Sequence, residues 1–355
     1  MPTQSDVARL ADVSTATVSR VINERGVVSP DARVRVERAI QQLEYVPHAG
    51  ARALALQRSG TLGAIIPTLN NAIFAEGINA FEKAAQSLGY TLILAVSHND
   101  PAEDARQAIR MIERGVDGLL LVGNDHEPAV FERLERACIR HVCSWVFDDD
   151  ARAPNIGFDN ATAMHDVVDH LVALGHRKVG VLSGLRARND RARERVNGVV
   201  NRLAHHGLGV PPANIIELEY SIKSARKAFW DLIDRDVSAI ICGNDVIAHG
   251  ALLEALKLGM VVPEDISITG FDDLELSEEL NPALTSVHVN ASSMGERAAT
   301  ELVRAVEGKS DVASYQISTR LVIRQTTGRC GPVNRVSGSK VSGSQKFRGQ
   351  VFDFE

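Results

Sequence analysis

Between residues 59 and 328 short apolar runs alternate with longer stretches of helical period, and this alternation constrains the fold more than any other feature of the chain. The runs are Leu62–Pro67, Thr91–Val96, Gly118–Val122, Val142–Phe147, Lys178–Ser183, Ala239–Cys242, Ile266–Gly270 and Leu284–Val289. They are short, apolar and bounded by Gly, Pro, Asn or Asp, the pattern of strands covered on both faces. Between them lie amphipathic stretches at Phe74–Leu88, Ala102–Arg114, Ala161–Leu174, Arg191–His206, Ser224–Ile233, Val246–Leu258 and Ser292–Val306. Gly89, Gly115, Gly175, Gly207 and Gly259 each follow a helical stretch, where a left-handed cap is needed. Strands alternating with helices predict parallel, doubly wound sheets, which bind ligands at the C-terminal ends of their strands. Some 270 residues is long for one such sheet, so the pattern predicts two lobes with a cleft between them.

Residues 1–58 have a different texture, several short helical patterns and no strand. They carry eight Arg and six acidic residues, a local +2 that leaves −8 on the rest of a chain of net charge −6. A small basic module on an acidic body has the sign of a DNA-binding end. Val7, Ala8, Leu10 and Ala11 lie along one side of a first helix over Ser5–Ala11. Ser14 is placed to cap a second, in which Val18, Val21 and Ile22 form the buried stripe while Thr15, Ala16, Ser19, Arg20 and Asn23 face away. Ser29-Pro30-Asp31 starts a third, with Val34, Ala39, Ile40 and Leu43 inward. Two short helices in a tight turn, braced by a third, form either a helix-turn-helix or a small bundle for protein contact. In the first case the second helix enters the major groove, with Arg20, Arg33 and Arg35 suited to phosphates or a guanine.

Apolar residues at 45% and charged residues at 24% fit a globular chain with sizeable cores, and no apolar run reaches membrane-spanning length. The start is polar, Met1-Pro2-Thr3-Gln4-Ser5-Asp6, so a cytoplasmic protein without signal peptide is expected. Cys138, Cys143, Cys242 and Cys330 form no Cys-x-x-Cys pair and read as reduced, mostly buried thiols. Residues 329–355 are rich in Ser, Gly and Lys, lack an apolar period and read as a disordered tail. An enzyme is disfavoured: there is no Gly-x-x-x-x-Gly-Lys, no Gly-x-Gly-x-x-Gly and no Gly-x-Ser-x-Gly, and His165, His170 and His176 lack zinc-ligand spacing.

One run of residues is more specific than these patterns. Asp6-Val7-Ala8, Val13-Ser14-Thr15-Ala16-Thr17-Val18-Ser19-Arg20-Val21-Ile22-Asn23, Val28-Ser29-Pro30 and Leu43-Glu44-Tyr45-Val46-Pro47 together resemble the headpiece of the LacI/GalR family of transcription regulators. The resemblance continues through Gly115-Val116-Asp117-Gly118, Leu174-Gly175-His176-Arg177, Asn244-Asp245 and Gly270-Phe271-Asp272-Asp273, and covers about residues 3–328. It implies a helix-turn-helix domain over 1–46, a hinge helix and linker over 47–58, and a two-lobed effector-binding and dimerising body over 59–328, similar to the periplasmic sugar-binding-protein fold. It implies a homodimer on nearly palindromic double-stranded operator DNA, without a membrane, a metal or a cofactor. Dimer contacts are expected from Phe74–Leu88 and Val246–Leu258.

By position, the family pattern puts Thr15 and Ala16 at base edges with Arg20 beside them. Ser5, Ser14, Thr17, Ser19 and Asn23 are then phosphate partners, or equally plain caps and solvated hydroxyls. Pro47-His48-Ala49-Gly50-Ala51-Arg52-Ala53-Leu54 corresponds to the hinge, with His48 and Arg52 at the minor groove and Leu54 as the wedge between base steps. His48 in place of the usual Asn, and Gly50 inside the helix, depart from the pattern and make the hinge harder to order.

For the effector, the resemblance implies a cleft lined by Asn71, Ile73, Phe74, Trp145, Phe147, Asn189, Asp190, Arg191, Arg195, Tyr220, Asn244, Asp245 and Asp272. Arg195 is to grip a carboxylate or vicinal hydroxyls, Asp272 to accept from hydroxyls, and Phe74 or Trp145 to stack on a sugar face. The plain alternatives are a solvated helix face for the arginines and a core role for Trp145 and Phe147. Basic groups near the cleft point to a sugar acid, unless Asp159, Asp190 and Asp272 balance them; the effector is read as a small sugar or sugar acid.

Overall fold

A computed structural model describes residues 2–23, 26–46 and 58–331. The hinge residues His48, Arg52 and Leu54 lie outside the described residues, as does most of the expected tail.

Three helices make the N-terminal module, and each begins on a side-chain cap. Helix α1 (Gln4–Ala11) starts at Thr3, whose hydroxyl accepts from the Asp6 N–H while the Asp6 carboxylate accepts from the Thr3 N–H. Helix α2 (Thr15–Ile22) starts at Ser14, which accepts from Thr17 N–H at 3.1 Å. Helix α3 (Pro30–Gln42) starts at Ser29 with Pro30 in its first turn. Val7, Ala8, Ala11, Val18, Val21, Val36 and Ala39 close one small core. Two expected inward residues point out instead. Leu10 is 45% exposed and Val34 52%, because the buried stripe of α3 runs through Ala32, Val36 and Ala39, and Val34 sits about 200° around the helix from Val36.

The body is two six-stranded sheets. In the first lobe β1 (Thr61–Ile66), α4 (Ala72–Ser87), β2 (Thr91–Val96), α5 (Pro101–Glu113), β3 (Gly118–Val122), α6 (Pro128–Arg136), β4 (Arg140–Ser144) and β5 (Asn155–Gly157) alternate. The chain then crosses into the second lobe. There α7 (His165–Ala173), β6 (Val179–Gly184), α8 (Asp190–His205), β7 (Ile215–Leu218), α9 (Ile222–Ile233), β8 (Ala239–Cys242), α10 (Asp245–Lys257), β9 (Ser267–Asp272), α11 (Glu275–Glu279) and β10 (Thr285–Val289) follow. It returns to the first lobe for α12 (Ala291–Val306) and β11 (Tyr315–Gln316), and ends in the second with β12 (Thr319–Val322). The orders are β11-β5-β4-β3-β1-β2 and β12-β10-β9-β8-β6-β7, with only β12 antiparallel among the pairings. All eight expected strands form, and α6, α11, β5, β7, β11 and β12 are additional.

The fourth expected strand stops early. Trp145 adopts a left-handed φ of 62°, so β4 ends at Ser144 and the chain turns before Phe147. Of the four free cysteines, Cys143 and Cys242 are buried as expected and burial pushes their thiols up, whereas Cys138 and Cys330 are exposed. Among the described residues no helix is long and apolar enough to cross a membrane.

Candidate functional site

Strand order reverses at β1/β3 in the first lobe and at β6/β8 in the second, and a doubly wound sheet leaves a crevice at such a switch point. The two crevices face each other across one cleft. Each lining residue follows the C-terminal end of a strand. Pro67, Thr68, Asn71, Ile73 and Phe74 come after β1, Asn99 after β2 and Trp145 after β4. Asn189, Arg191 and Arg195 come after β6, Tyr220 after β7, Asn244 after β8, and Asp272 closes β9.

Three asparagines do similar work at the strand-to-helix joints. Asn71, Asn189 and Asn244 each cap the helix that follows, their side-chain oxygens accepting from the N–H of Ile73 (3.4 Å), Ala192 (3.3 Å) and Ile247 (3.0 Å). This commits the carbonyl oxygen to the backbone and leaves each amide NH₂ for the cleft. That of Asn189 donates to the Tyr220 hydroxyl at 3.4 Å. That of Asn244 is buried with no partner.

Arg195 is buried and lines the cleft. Its Nε donates to Asn160 Oδ1 at 2.9 Å and its Nη1 to the Gly243 carbonyl at 2.7 Å, while the guanidinium lies 3.7 Å over the Phe271 ring. Burial pulls its pKa below the ordinary arginine value, and the nearby Asp272 opposes that. Burial pushes the Asp272 carboxyl up to about 8 against the pull of Arg195, and its Oδ2 has no hydrogen-bond partner. Trp145 is 1% exposed and packs edge-on against Phe74, ring centres 5.2 Å apart, yet its indole N–H is also unpartnered. So Trp145 is at once core and cleft wall. Two N–H donors and one carboxyl thus stand unpaired around one space. Unpaired buried polar groups are costly and rare, which marks the space as one built for a ligand.

Ten of the thirteen expected residues line this cleft. Phe147, Asp190 and Asp245 do not. Phe147 falls beyond the turn at Trp145, where its N–H bonds the Phe158 carbonyl. Asp190 faces away, accepting from Asn124 N–H at 2.5 Å and from Arg191 Nη1 at 2.9 Å. Asp245 is fully buried under the cleft, bonded to Ser277, Ser286 and the Leu274 N–H. Both aspartates directly follow a capping asparagine, and a helix turns consecutive side chains about 100° apart. Pro67, Thr68 and Asn99 were not expected. Their only sequence signal is a place just past a strand end.

Arg191 reaches the other lobe, its Nη1 donating to the Val122 carbonyl at 3.0 Å. Gly123 makes this possible. With φ at +84°, a Cβ there would fall 1.9 Å from Arg191 Nη1.

On the headpiece, Thr15, Ala16 and Arg20 are exposed along one side of α2, as expected. Ser14 caps α2 and shares a hydroxyl contact with Thr17 at 2.9 Å, and Asn23 Nδ2 donates to Ser19 Oγ at 3.2 Å. Ser5 is exposed. Arg35, read as suited to a phosphate or a guanine, pairs with Asp31 and donates to the Ala11 carbonyl at 3.0 Å, tying α3 to the end of α1.

Comparison with known proteins completes the description. Residues 3–48 match the family of bacterial regulatory proteins, lacI family, and residues 168–327 match the periplasmic binding protein-like domain. The chain is 34% identical over 333 residues to the HTH-type transcriptional repressor PurR of Klebsiella pneumoniae (strain 342), an alignment covering 92% of this chain and 97% of that one. Among solved structures, the lac repressor dimer bound to operator and the anti-inducer ONPF superposes with TM-score 0.82 at 26% identity, covering 92% of this chain and 99% of that one. The regulator CelR in complex with cellobiose gives TM-score 0.67 at 28% identity over 92% of this chain and all of that one.

Proposed function

The chain belongs to the LacI family of DNA-binding transcriptional repressors, and from that premise we propose that its hold on a two-fold operator is set by a neutral sugar bound between its lobes. The carrying observation is the convergence of three unpaired polar groups, Trp145 Nε1, Asn244 Nδ2 and Asp272 Oδ2, on a cleft that crosses from lobe to lobe. Hydroxyls satisfy all three, since a hydroxyl both accepts and donates. The ring face packs on Phe74.

A neutral sugar fits better than a sugar acid. Arg191 is already paired with Asp190 and bonded to Val122. Arg195 has Nε and Nη1 committed to the protein. Arg191 is charge-balanced by Asp190. The cellobiose complex of a structural relative supports a carbohydrate. Calorimetric titration with D-glucose, D-galactose, D-ribose and cellobiose against D-gluconate and D-glucuronate tests this. Binding by one neutral sugar, lost in Arg195→Ala, is expected; binding of an acid alone contradicts it.

On DNA, Thr15 and Ala16 meet base edges and Arg20 lies beside them, two headpieces reading two half-sites. Leu54 wedges the minor groove. Leu54→Ala then weakens specific operator binding and spares salt-sensitive nonspecific binding; equal loss of both refutes the wedge. Dimerisation through α4 and α10 is supported by Leu253 (44% exposed) and Leu256 (39%) on α10. A chain that stays monomeric in ultracentrifugation at every concentration contradicts it.

A further inference from the structure

Asp272 reaches the cleft from a backbone that its neighbours must hold. Asp272 has φ +110° and Asp273 φ +58°, two successive non-glycine residues in the left-handed region. Such a turn persists only where the surroundings over-determine it. What lies beneath it is Asp245, at the first position of α10 and with no exposed surface.

One oxygen of Asp245 accepts from the Leu274 N–H at 2.8 Å and from Ser277 Oγ at 2.6 Å. The other accepts from Ser286 Oγ at 2.6 Å, and that same hydroxyl accepts from the Asp273 N–H at 3.1 Å. A single carboxylate therefore grips the turn on both sides of Asp273. Gly270 lets it come this close to β9, since a Cβ there would sit 2.1 Å from Asp245 Oδ1. Asp273 is held independently by Arg324 Nη1 at 2.6 Å and His288 Nδ1 at 3.0 Å. No cleft wall is made by Asp245 itself.

We propose that Asp245 is a positioning residue for effector binding: it touches no ligand, but clamps the 272–274 turn so that the Asp272 carboxyl points into the cleft. This rests on the cleft being the effector site. Its signature is dependence on Asp272. Where Asp272 is absent, the clamp has nothing left to aim.

The test is a double-mutant cycle on the full-length protein, titrated with whichever of D-glucose, D-galactose, D-ribose and cellobiose the wild type binds. Asp245→Asn and Asp272→Ala should each weaken binding about tenfold or more, with the double variant no weaker than Asp272→Ala alone. Ser286→Ala, a smaller lesion that keeps Asp245, should show a smaller loss with the same dependence, and it serves if Asp245→Asn fails to fold. A full additional loss on the Asp272→Ala background, or unchanged affinity in Asp245→Asn and Ser286→Ala, overturns the proposal. Should the wild type bind none of these sugars, the effector reading fails by itself. The crystal structure of unliganded Ser286→Ala then decides: a turn relaxed to negative φ at Asp272 or Asp273 upholds the clamp, and an unchanged turn overturns it.

Discussion

Asp272 makes a pH prediction of unusual sign. Its folded-state carboxyl is pushed by burial from an ordinary 3.8 up to about 8, and that of Asp245 up to about 6. Between these values the folded chain keeps protons that the unfolded chain has released. Stability is therefore greatest at low pH within the window and falls as pH rises from about 4 toward 8, by up to about 1.4 kcal/mol per pH unit for Asp272. Asp272→Asn should flatten this slope, read as a smaller drop in unfolding midpoint between pH 5 and pH 8; an unaltered slope means that Asp272 is charged throughout. Arg195→Ala should abolish the effector response with operator affinity kept, while Arg195→Lys, which cannot reach both Asn160 and Gly243 with a planar fork, should rescue it only weakly; a normal dose response in either removes Arg195 from the site. At this scale the family resemblance reads well: Asn71, Asn189, Asn244, Arg195 and Asp272, which it implied, all line the cleft. It reads poorly one residue further on. Asp190 and Asp245 look like neighbours of the site but are turned away by helical rotation, which no residue type announces.

The elements were legible for a physical reason. Gly89, Gly115, Gly175, Gly207 and Gly259 all have positive φ, and each ends a helix as expected. Buried strands of four to six residues carry a continuous apolar run. Of the pieces not anticipated, β5 (three residues) and β11 (two) are too short for a period and exist because neighbouring strands supply hydrogen bonds. The tightest packing between elements is α12 on α4. A Cβ on Gly295 would lie 2.0 Å from the Gly77 carbonyl, and one on Gly77 would lie 2.6 Å from Trp145 Cζ2. Gly295→Ala should force the helices apart, costing roughly 1–3 kcal/mol in denaturant unfolding and displacing the Trp145 wall, seen as a changed intrinsic emission. An unchanged midpoint would show that the two helices have slack. Ser29→Ala should loosen α3 by about 1 kcal/mol, read from faster amide exchange in the headpiece of the whole protein; exchange at the wild-type rate would leave the cap idle.

For the whole molecule, α8 joins the cleft to the seam between the lobes. Its first turn spans the seam through Asp190 to the Asn124 N–H at 2.5 Å, Arg191 to the Val122 carbonyl at 3.0 Å and Arg193 to Asp125 at 3.0 Å. One turn later the same helix offers Arg195 to the cleft. A ligand that binds one lobe spacing better than another shifts the population toward it, and only by its difference in affinity. Two lobes and a cleft were predictable from length and alternation. The seam was not, because Asn124, Asp125 and the first turn of α8 lie 66 or more residues apart and only the tertiary fold brings them together. The most direct measurement is the affinity of the full-length protein for its own upstream DNA at fixed salt, by fluorescence anisotropy, with and without each neutral sugar. A specific complex whose affinity one sugar shifts about tenfold or more, with no shift in Arg195→Ala, is expected. A specific complex indifferent to every neutral sugar, or a shift that survives Arg195→Ala, contradicts it.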